Sequence, residues 1–254
     1  MDMPVNEFKR RLQGGRSQLG CWLSLGNATA AEIAGSAGFD WALIDMEHTP
    51  SELPIVQQQL HALAGSPASP MVRPPWNDTV IIKRLLDLGV QTLIIPFVET
   101  AEEARRAVEA TRYPPGGVRG VSTNTRANRF GRVPDYFARV EQEMCVIVQI
   151  ESRRGIENLD AIARVEGLDG LFIGPQDLAA GHGHLGNPAH PEVQAVIADA
   201  ITRIRAAGKA AGILAFAEAD ARRWMEHGAA FVAVTSDQFI LARETAATVA
   251  RYRG

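Results

Sequence analysis

WALIDMEH, residues 41–48, sets four apolar residues in a row and follows them with Asp45, Glu47 and His48. The apolar run has the aromatic and β-branched content of a strand, and it ends in ionisable side chains. The pattern recurs along the chain. Strands are expected at 19–25 (LGCWLSL), 41–47 (WALIDME), 70–74 (PMVRP), 92–98 (TLIIPFV), 145–151 (CVIVQIE), 170–174 (GLFIG), 210–216 (AAGILAF) and 231–236 (FVAVTS). Amphipathic stretches at 28–37, 52–64, 78–88, 100–111, 152–165, 191–207, 218–227 and 237–252 follow them in turn. Gly38, Gly65, Gly89, Gly208 and Gly228 read as helix stops, and Thr100 with Glu103 reads as a capping box.

Strict strand–helix alternation with crossovers of this length makes the strands parallel. Eight repeats predict a closed (β/α)8 barrel, a single domain over 1–254, preceded by an additional N-terminal helix near 5–13. The length of 254 residues suits such a barrel, which runs to about 250. A doubly wound open sheet is the alternative. It would want a glycine-rich dinucleotide fingerprint after the first strand, where the chain instead reads SLGNATA.

Composition narrows the function classes. A net charge of −3 gives no reason to expect nucleic acid or an anionic membrane as partner. No apolar run approaches the roughly 18 residues of a bilayer span, and the N-terminus lacks a signal-peptide core. The two cysteines, Cys21 and Cys145, read as buried free thiols of a cytoplasmic protein.

In barrels the chemistry sits at the C-terminal ends of strands. Asp45, Glu47 and His48 fall there on the second strand and Arg73 on the third. Gln149 and Glu151 end the fifth, and Gly174, Pro175, Gln176 and Asp177 end the sixth. Period two puts Gln149 with Glu151, and Asp45 with Glu47, on common faces. Single carboxylates at strand ends are usually caps or salt-bridge partners; their joint occurrence at one face points to a site. Glu151 and Asp177 supply two hard oxygen ligands, suited to Mg²⁺ or Mn²⁺, with Co²⁺ also acceptable. A 2-oxo acid chelated to such a metal would form its enolate there, with Arg73 beside the developing oxyanion. Asp45 and His48 are expected to pair as proton carrier. The three lysines, Lys9, Lys83 and Lys209, are all misplaced for imine chemistry. His182, His184 and His190 read as a solvated loop. The arginine-rich stretch 112–132 (Arg119, Arg126, Arg129, Arg132) reads equally as an anion-holding loop or an oligomer contact.

Taken together, AEIAGSAGFDWALIDMEHTP (31–50), VRPPWND (72–78), IIPFVETAEEA (94–104), RYPPGGVRG (112–120), QIESRRGIENLDAIA (149–163), DGLFIGPQDLA (169–179) and GNPAHPEV (186–193) resemble the HpcH/HpaI aldolase family nearly end to end. The resemblance implies a (β/α)8 barrel and a class II aldolase of hydroxy-2-oxo acids. Pyruvate or hydroxypyruvate would be the donor and an aldehyde the acceptor. It implies a divalent cation on Glu151 and Asp177, and oxo-acid contacts from Arg73, Gln149 and backbone amides near Gly174, Pro175 and Gln176. It implies an acid–base role for Asp45 and His48, and a hexamer with exchanged C-terminal helices. The chain departs from the usual pattern at Gln176, Gly181 and His182. The competing function is a citrate-lyase-like enzyme acting on a CoA thioester. Such an enzyme would want a basic nucleotide groove, for which only 112–132 offers itself. A non-catalytic barrel would show gaps in the strand-end constellation, and there are none.

Overall fold

Residues 1–253 are described by a computed structural model. Strands β1 (Gln18–Leu23), β2 (Trp41–Asp45), β3 (Ser69–Arg73), β4 (Thr92–Ile95), β5 (Cys145–Ile150), β6 (Gly170–Ile173), β7 (Ala210–Leu214) and β8 (Phe231–Ser236) pair in chain order, all parallel. β8 pairs back to β1 and closes the barrel. The helices are α1 (Glu7–Gln13), α2 (Ala28–Ser36), α3 (Leu53–Ala62), α4 (Thr79–Asp87), α5 (Ala101–Thr111) and α6 (Tyr136–Glu143). They continue as α7 (Arg153–Glu157), α8 (Leu159–Ala163), α9 (Pro175–Gly181), α10 (Pro191–Ala206), α11 (Glu218–His227) and α12 (Asp237–Arg253). The expected (β/α)8 barrel with a leading helix is what forms. Among the described residues no helix is long and apolar enough to cross a membrane.

The barrel interior is a cluster of its own, separate from the larger core between strands and helices. Trp22, Trp41, Leu43, Met71, Ile147, Phe172 and Phe231 fill it. Small residues make room for large ones. A Cβ on Gly20 would lie about 2.0 Å from the Trp41 ring, and one on Gly212 about 2.2 Å from Phe231. α1 drives Phe8 into the N-terminal mouth, where its ring meets Phe231 edge-on at 5.5 Å and Trp41 at 6.4 Å. Asn6 fixes that helix by capping it and by donating to Thr92 Oγ1 and the Glu143 carbonyl. Cys21 and Cys145 are both buried and free.

Local signals mostly worked as expected. Thr100 and Glu103 form the capping box of α5. Gly89 (φ 90°) and Gly228 (φ 111°) end α4 and α11 in the left-handed region, whereas Gly65 instead closes a short 3-10 turn after α3. Three elements depart from the expected pattern. The stretch expected as one helix over 152–165 breaks at Asn158, whose side chain donates to the Glu99 carbonyl. α6 forms in a region with no helix expected. α9 starts directly at Pro175, a residue well suited to a first helical turn. Every strand but β8 also stops earlier than expected. β2 ends at Asp45 because the Asp45 carboxylate accepts from the Glu47 N–H (3.0 Å) and turns the chain.

Candidate active site

Parallel register brings β2 and β3 level at Asp45 and Arg73. The Arg73 guanidinium donates to both Asp45 oxygens, from Nε and Nη2, each at 2.8 Å. This bidentate fork is the strongest geometry for the pair. Trp22 lies beneath the guanidinium, 4.8 Å from ring centre to Cζ. Arg73 is only 6 % exposed. Its remaining Nη1 sits 2.8 Å from Glu47 Oε2, off the N–H axis, so the contact is an ion pair without a hydrogen bond. Nη1 also reaches Gln149 Oε1 at a long 3.5 Å.

Gln149 passes the network on to β5. Its Nε2 donates to Glu151 Oε2, and the Phe97 N–H donates to Glu151 Oε1 at 2.8 Å. Phe97 holds a left-handed backbone (φ 53°) to aim that N–H. For a residue with a Cβ this costs about 1–3 kcal/mol. Gly174 completes the cradle by what it lacks. A Cβ there would sit about 2.6 Å from Glu151 Oε2 and 2.9 Å from Gln149 Nε2.

The charges are unevenly matched. Burial raises the Glu151 carboxyl to about 7, and the Glu47 and Asp177 charges push the same way. Glu47 is raised too, first by burial, with Arg73 and His48 opposing and Asp45 and Asp177 adding. Burial also pushes Asp45 upward, but the Arg73 hydrogen bonds and charge outweigh it and hold Asp45 below its ordinary value. Three carboxylates therefore act on one another around one paired arginine, and Glu47 Oε2 is buried without a hydrogen bond. A divalent cation on Glu151 and Asp177 fits this donor set, all hard oxygen.

Two expectations need correction. Asp45 does not pair with His48. Its carboxylate is taken by Arg73 and by the Glu47 N–H, while His48 is exposed and has Glu47 Oε1 as its neighbour at 3.9 Å. The turn after Asp45 separates the two side chains. Nor are the amides of Gly174 and Pro175 open to a ligand. Gly174 N–H donates to the Ile150 carbonyl (3.1 Å), and Pro175 has no N–H. Of that stretch only the Gln176 N–H stays open, in the unpaired first turn of α9. In the 112–132 stretch, Arg119 is buried against Asp87 (3.6 Å) and over Tyr113, and Arg126 donates to the Leu88 carbonyl.

Glu47, Trp22 and the Phe97 amide join the site without having been assigned to it from the sequence. Glu47 carried a signal, its place in the strand-end motif. Trp22 looked like any barrel filler, and a backbone N–H leaves no mark in a sequence.

A buried arginine network at the C-terminal mouth of a closed (β/α)8 barrel is the arrangement of a barrel enzyme. Residues 18–243 match the family model described as HpcH/HpaI aldolase/citrate lyase, and the chain belongs to that family. It is 53 % identical over 255 residues to a hydroxypyruvate/pyruvate aldolase of Pseudomonas aeruginosa, covering 100 % of this chain and 95 % of that one. It is 55 % identical over 248 residues to a 4-hydroxy-2-oxo-heptane-1,7-dioate aldolase of Shigella sonnei, covering 97 % and 95 %. A crystal structure of an HpcH/HpaI aldolase/citrate lyase family protein from Burkholderia cenocepacia superposes with a TM-score of 0.95 at 41 % identity, covering 98 % of this chain and 100 % of that one. The protein is an enzyme, a carbon–carbon lyase of the aldolase type.

Proposed function

We propose that the protein is a class II, metal-dependent aldolase that reversibly cleaves hydroxy-2-oxo acids, with pyruvate or hydroxypyruvate as donor and an aldehyde as acceptor. The observation that carries this reading is the mutual crowding of Glu47, Glu151 and Asp177, which leaves the mouth short of positive charge. Glu151 and Asp177 would hold the cation. When bound, Mg²⁺, Mn²⁺ or Co²⁺ supplies Lewis-acid polarisation of a keto oxygen. The chain's own groups do the rest. Arg73, locked by Asp45 and Trp22, offers Nη1 to a developing oxyanion without reorganising. Gln149 holds Glu151 in place and would contact the oxo acid. The Gln176 N–H, the one open amide of the Gly174–Gln176 stretch, would receive the substrate carboxylate. His48, on the rim beside Glu47, would carry the proton between the substrate hydroxyl and solvent. Asp45 acts through Arg73, as a positioning residue.

The chain is further proposed to work in the cytoplasm as a homo-oligomer, a hexamer built by exchange of α12. That helix has no buried residue and exposes Phe239, Leu241, Val249 and Tyr252. Light scattering of the intact chain and of one cut before α12 checks the assembly.

The function is tested by coupling pyruvate release from a panel of 4-hydroxy-2-oxo acids to a reporter enzyme. Activity should vanish with chelator, return with Mg²⁺, Mn²⁺ or Co²⁺, and be absent in Glu151→Ala and Asp177→Ala. A borohydride-stable adduct with pyruvate would overturn the class II assignment.

A further inference from the structure

A second group of ligand-type side chains lies beyond the site just described. α9 carries Asp177 in its first turn and is capped by His182, five residues on, about 7.5 Å of helical rise away. The segment that follows brings His184 and His190 to Glu192, the second residue of α10. One ligand atom from each of His184, His190 and Glu192 lies within 4.8 Å of the others. His184 Nε2 is 2.8 Å from Glu192 Oε2. His182 Nδ1 approaches the other carboxylate oxygen, Oε1, at 3.6 Å.

Two features set this group apart from a surface ion pair. The His182 side chain is only 9 % exposed, yet neither of its ring nitrogens has a hydrogen-bond partner. A buried polar atom left unmatched is costly, and here it faces a carboxylate that His184 already occupies. The His184 and His190 rings also stack at 3.5 Å, nearly parallel at 15°. The stack sets the two rings side by side, and rotation of one about its Cβ–Cγ bond turns both lone pairs toward a common point. His190 Nδ1 caps α10, accepting from the Glu192 N–H at 3.3 Å, which fixes the ring beside Glu192.

We infer that His184, His190 and Glu192, with His182 completing the set, form a second cation site specific for a borderline transition metal of the zinc class. Three imidazoles and one carboxylate form a nitrogen-rich set that suits Zn²⁺, Co²⁺ or Ni²⁺ and disfavours Mg²⁺. The all-oxygen pair Glu151 and Asp177 has the opposite preference. The backbone holds the ligands near one another beforehand. His184 N–H donates to the Ala179 carbonyl, Asn187 N–H to that of His184, and His190 N–H to that of Asn187. Binding therefore turns side chains and leaves the backbone as it is. An ion there ties the end of the Asp177 helix to the start of α10, so it stiffens the segment behind the mouth of the barrel.

The site is distinguished from the first by its spectrum. The full-length, tag-free chain is stripped with chelator and titrated with Co²⁺. A low-coordinate, imidazole-rich site absorbs strongly in the visible, and a six-coordinate oxygen site weakly. The intense band should appear in the wild type and persist in Glu151→Gln, which keeps this result independent of the aldolase reading. It should disappear in His184→Ala and in the near-isosteric Glu192→Gln. Zn²⁺ should displace the band, and Mg²⁺ in excess should leave it. Zn²⁺ affinity at the site should fall at least about tenfold in either variant, the lower limit for losing even an outer-sphere partner. Metal-free melting curves confirm that both variants fold, and Glu192→Gln decides the matter if His184→Ala does not. A wild type without the intense band, or a band unchanged in the folded variants, would overturn the inference.

Discussion

The two mouths of the barrel are closed by opposite means. At the N-terminal end Phe8, Trp41 and Phe231 interlock edge to face, with no ionisable group among them. At the C-terminal end Trp22 gives way to Arg73, and from there upward the interior belongs to Asp45, Glu47, Gln149 and Glu151. The lower plug stabilises by removing apolar area from water. The upper network has costs on every side: desolvated charge, a strained Phe97, like-charged carboxylates. Stability and chemistry are thus segregated along a single axis, and substitutions at the two ends should have separable effects.

Phe8→Ala tests the lower end and carries the largest expected cost. It empties a fully buried aromatic site, which typically removes about 3–5 kcal/mol of stability. Denaturant unfolding should show that loss while kcat of the folded fraction stays at the wild-type value. A fall in kcat would mean that the two ends communicate through the packed interior.

Arg73→Lys is the converse. A lysine keeps the charge but cannot form the fork to Asp45 while also reaching Glu47 and Gln149. Turnover should drop about 10²–10³-fold, the range for losing one oxyanion donor. Pyruvate proton exchange checks this, and a near-normal rate would remove Arg73 from the chemistry. Asp45→Asn should resemble this variant rather than a histidine variant, because Asp45 grips Arg73.

His48 sits outside the buried network, with its side chain 66 % exposed. His48→Ala should lower kcat by about 10²-fold, the modest end of general acid–base effects, with KM little changed. Added imidazole should restore part of that turnover, and a variant with the wild-type kcat would assign the proton transfer elsewhere.

The smallest effect is a pH dependence. Glu151 is raised from 4.5 to about 7 in the fold. Its folded value lies above the unfolded one, so the stability it contributes is full below 4.5 and is lost as pH rises through 7. A cation needs the ionised carboxylate, so its binding runs the other way. Apparent Mn²⁺ affinity should rise by up to about tenfold per pH unit toward 7 and level off above it. In Glu151→Gln the metal-free stability slope should disappear. Calorimetry across that window, with metal-free melting curves alongside, measures both slopes.

The aromatic lower plug was only half legible in the sequence. Trp41 and Phe231 stood in strand runs, but nothing announced that Phe8 of the leading helix would meet them, since that contact spans more than 200 residues. The upper network was legible as a set of residues and not as a set of pairs. Asp45, Arg73, Gln149, Glu151 and Asp177 stood out because each ends an apolar run. Their partnerships depended on register and on one turn. Asp45 and His48 are three residues apart, yet the Asx turn at Glu47 parts them, while Arg73, 28 residues away, lies level with Asp45 across the sheet.

The sequence by itself determined the barrel and the end of it that carries charge, because eight apolar runs in alternation with amphipathic helices can bury their surfaces in few other ways. It also determined which residue types meet at that end. Tertiary structure decided who holds whom: Arg73 with Asp45, Gln149 with Glu151, and the space beside Gly174 that Glu151 occupies. Periodicity is a local property and survives in one dimension. Pairing at a barrel mouth depends on strand register, turn geometry and the room left by a missing Cβ, and these exist only once the sheet has closed.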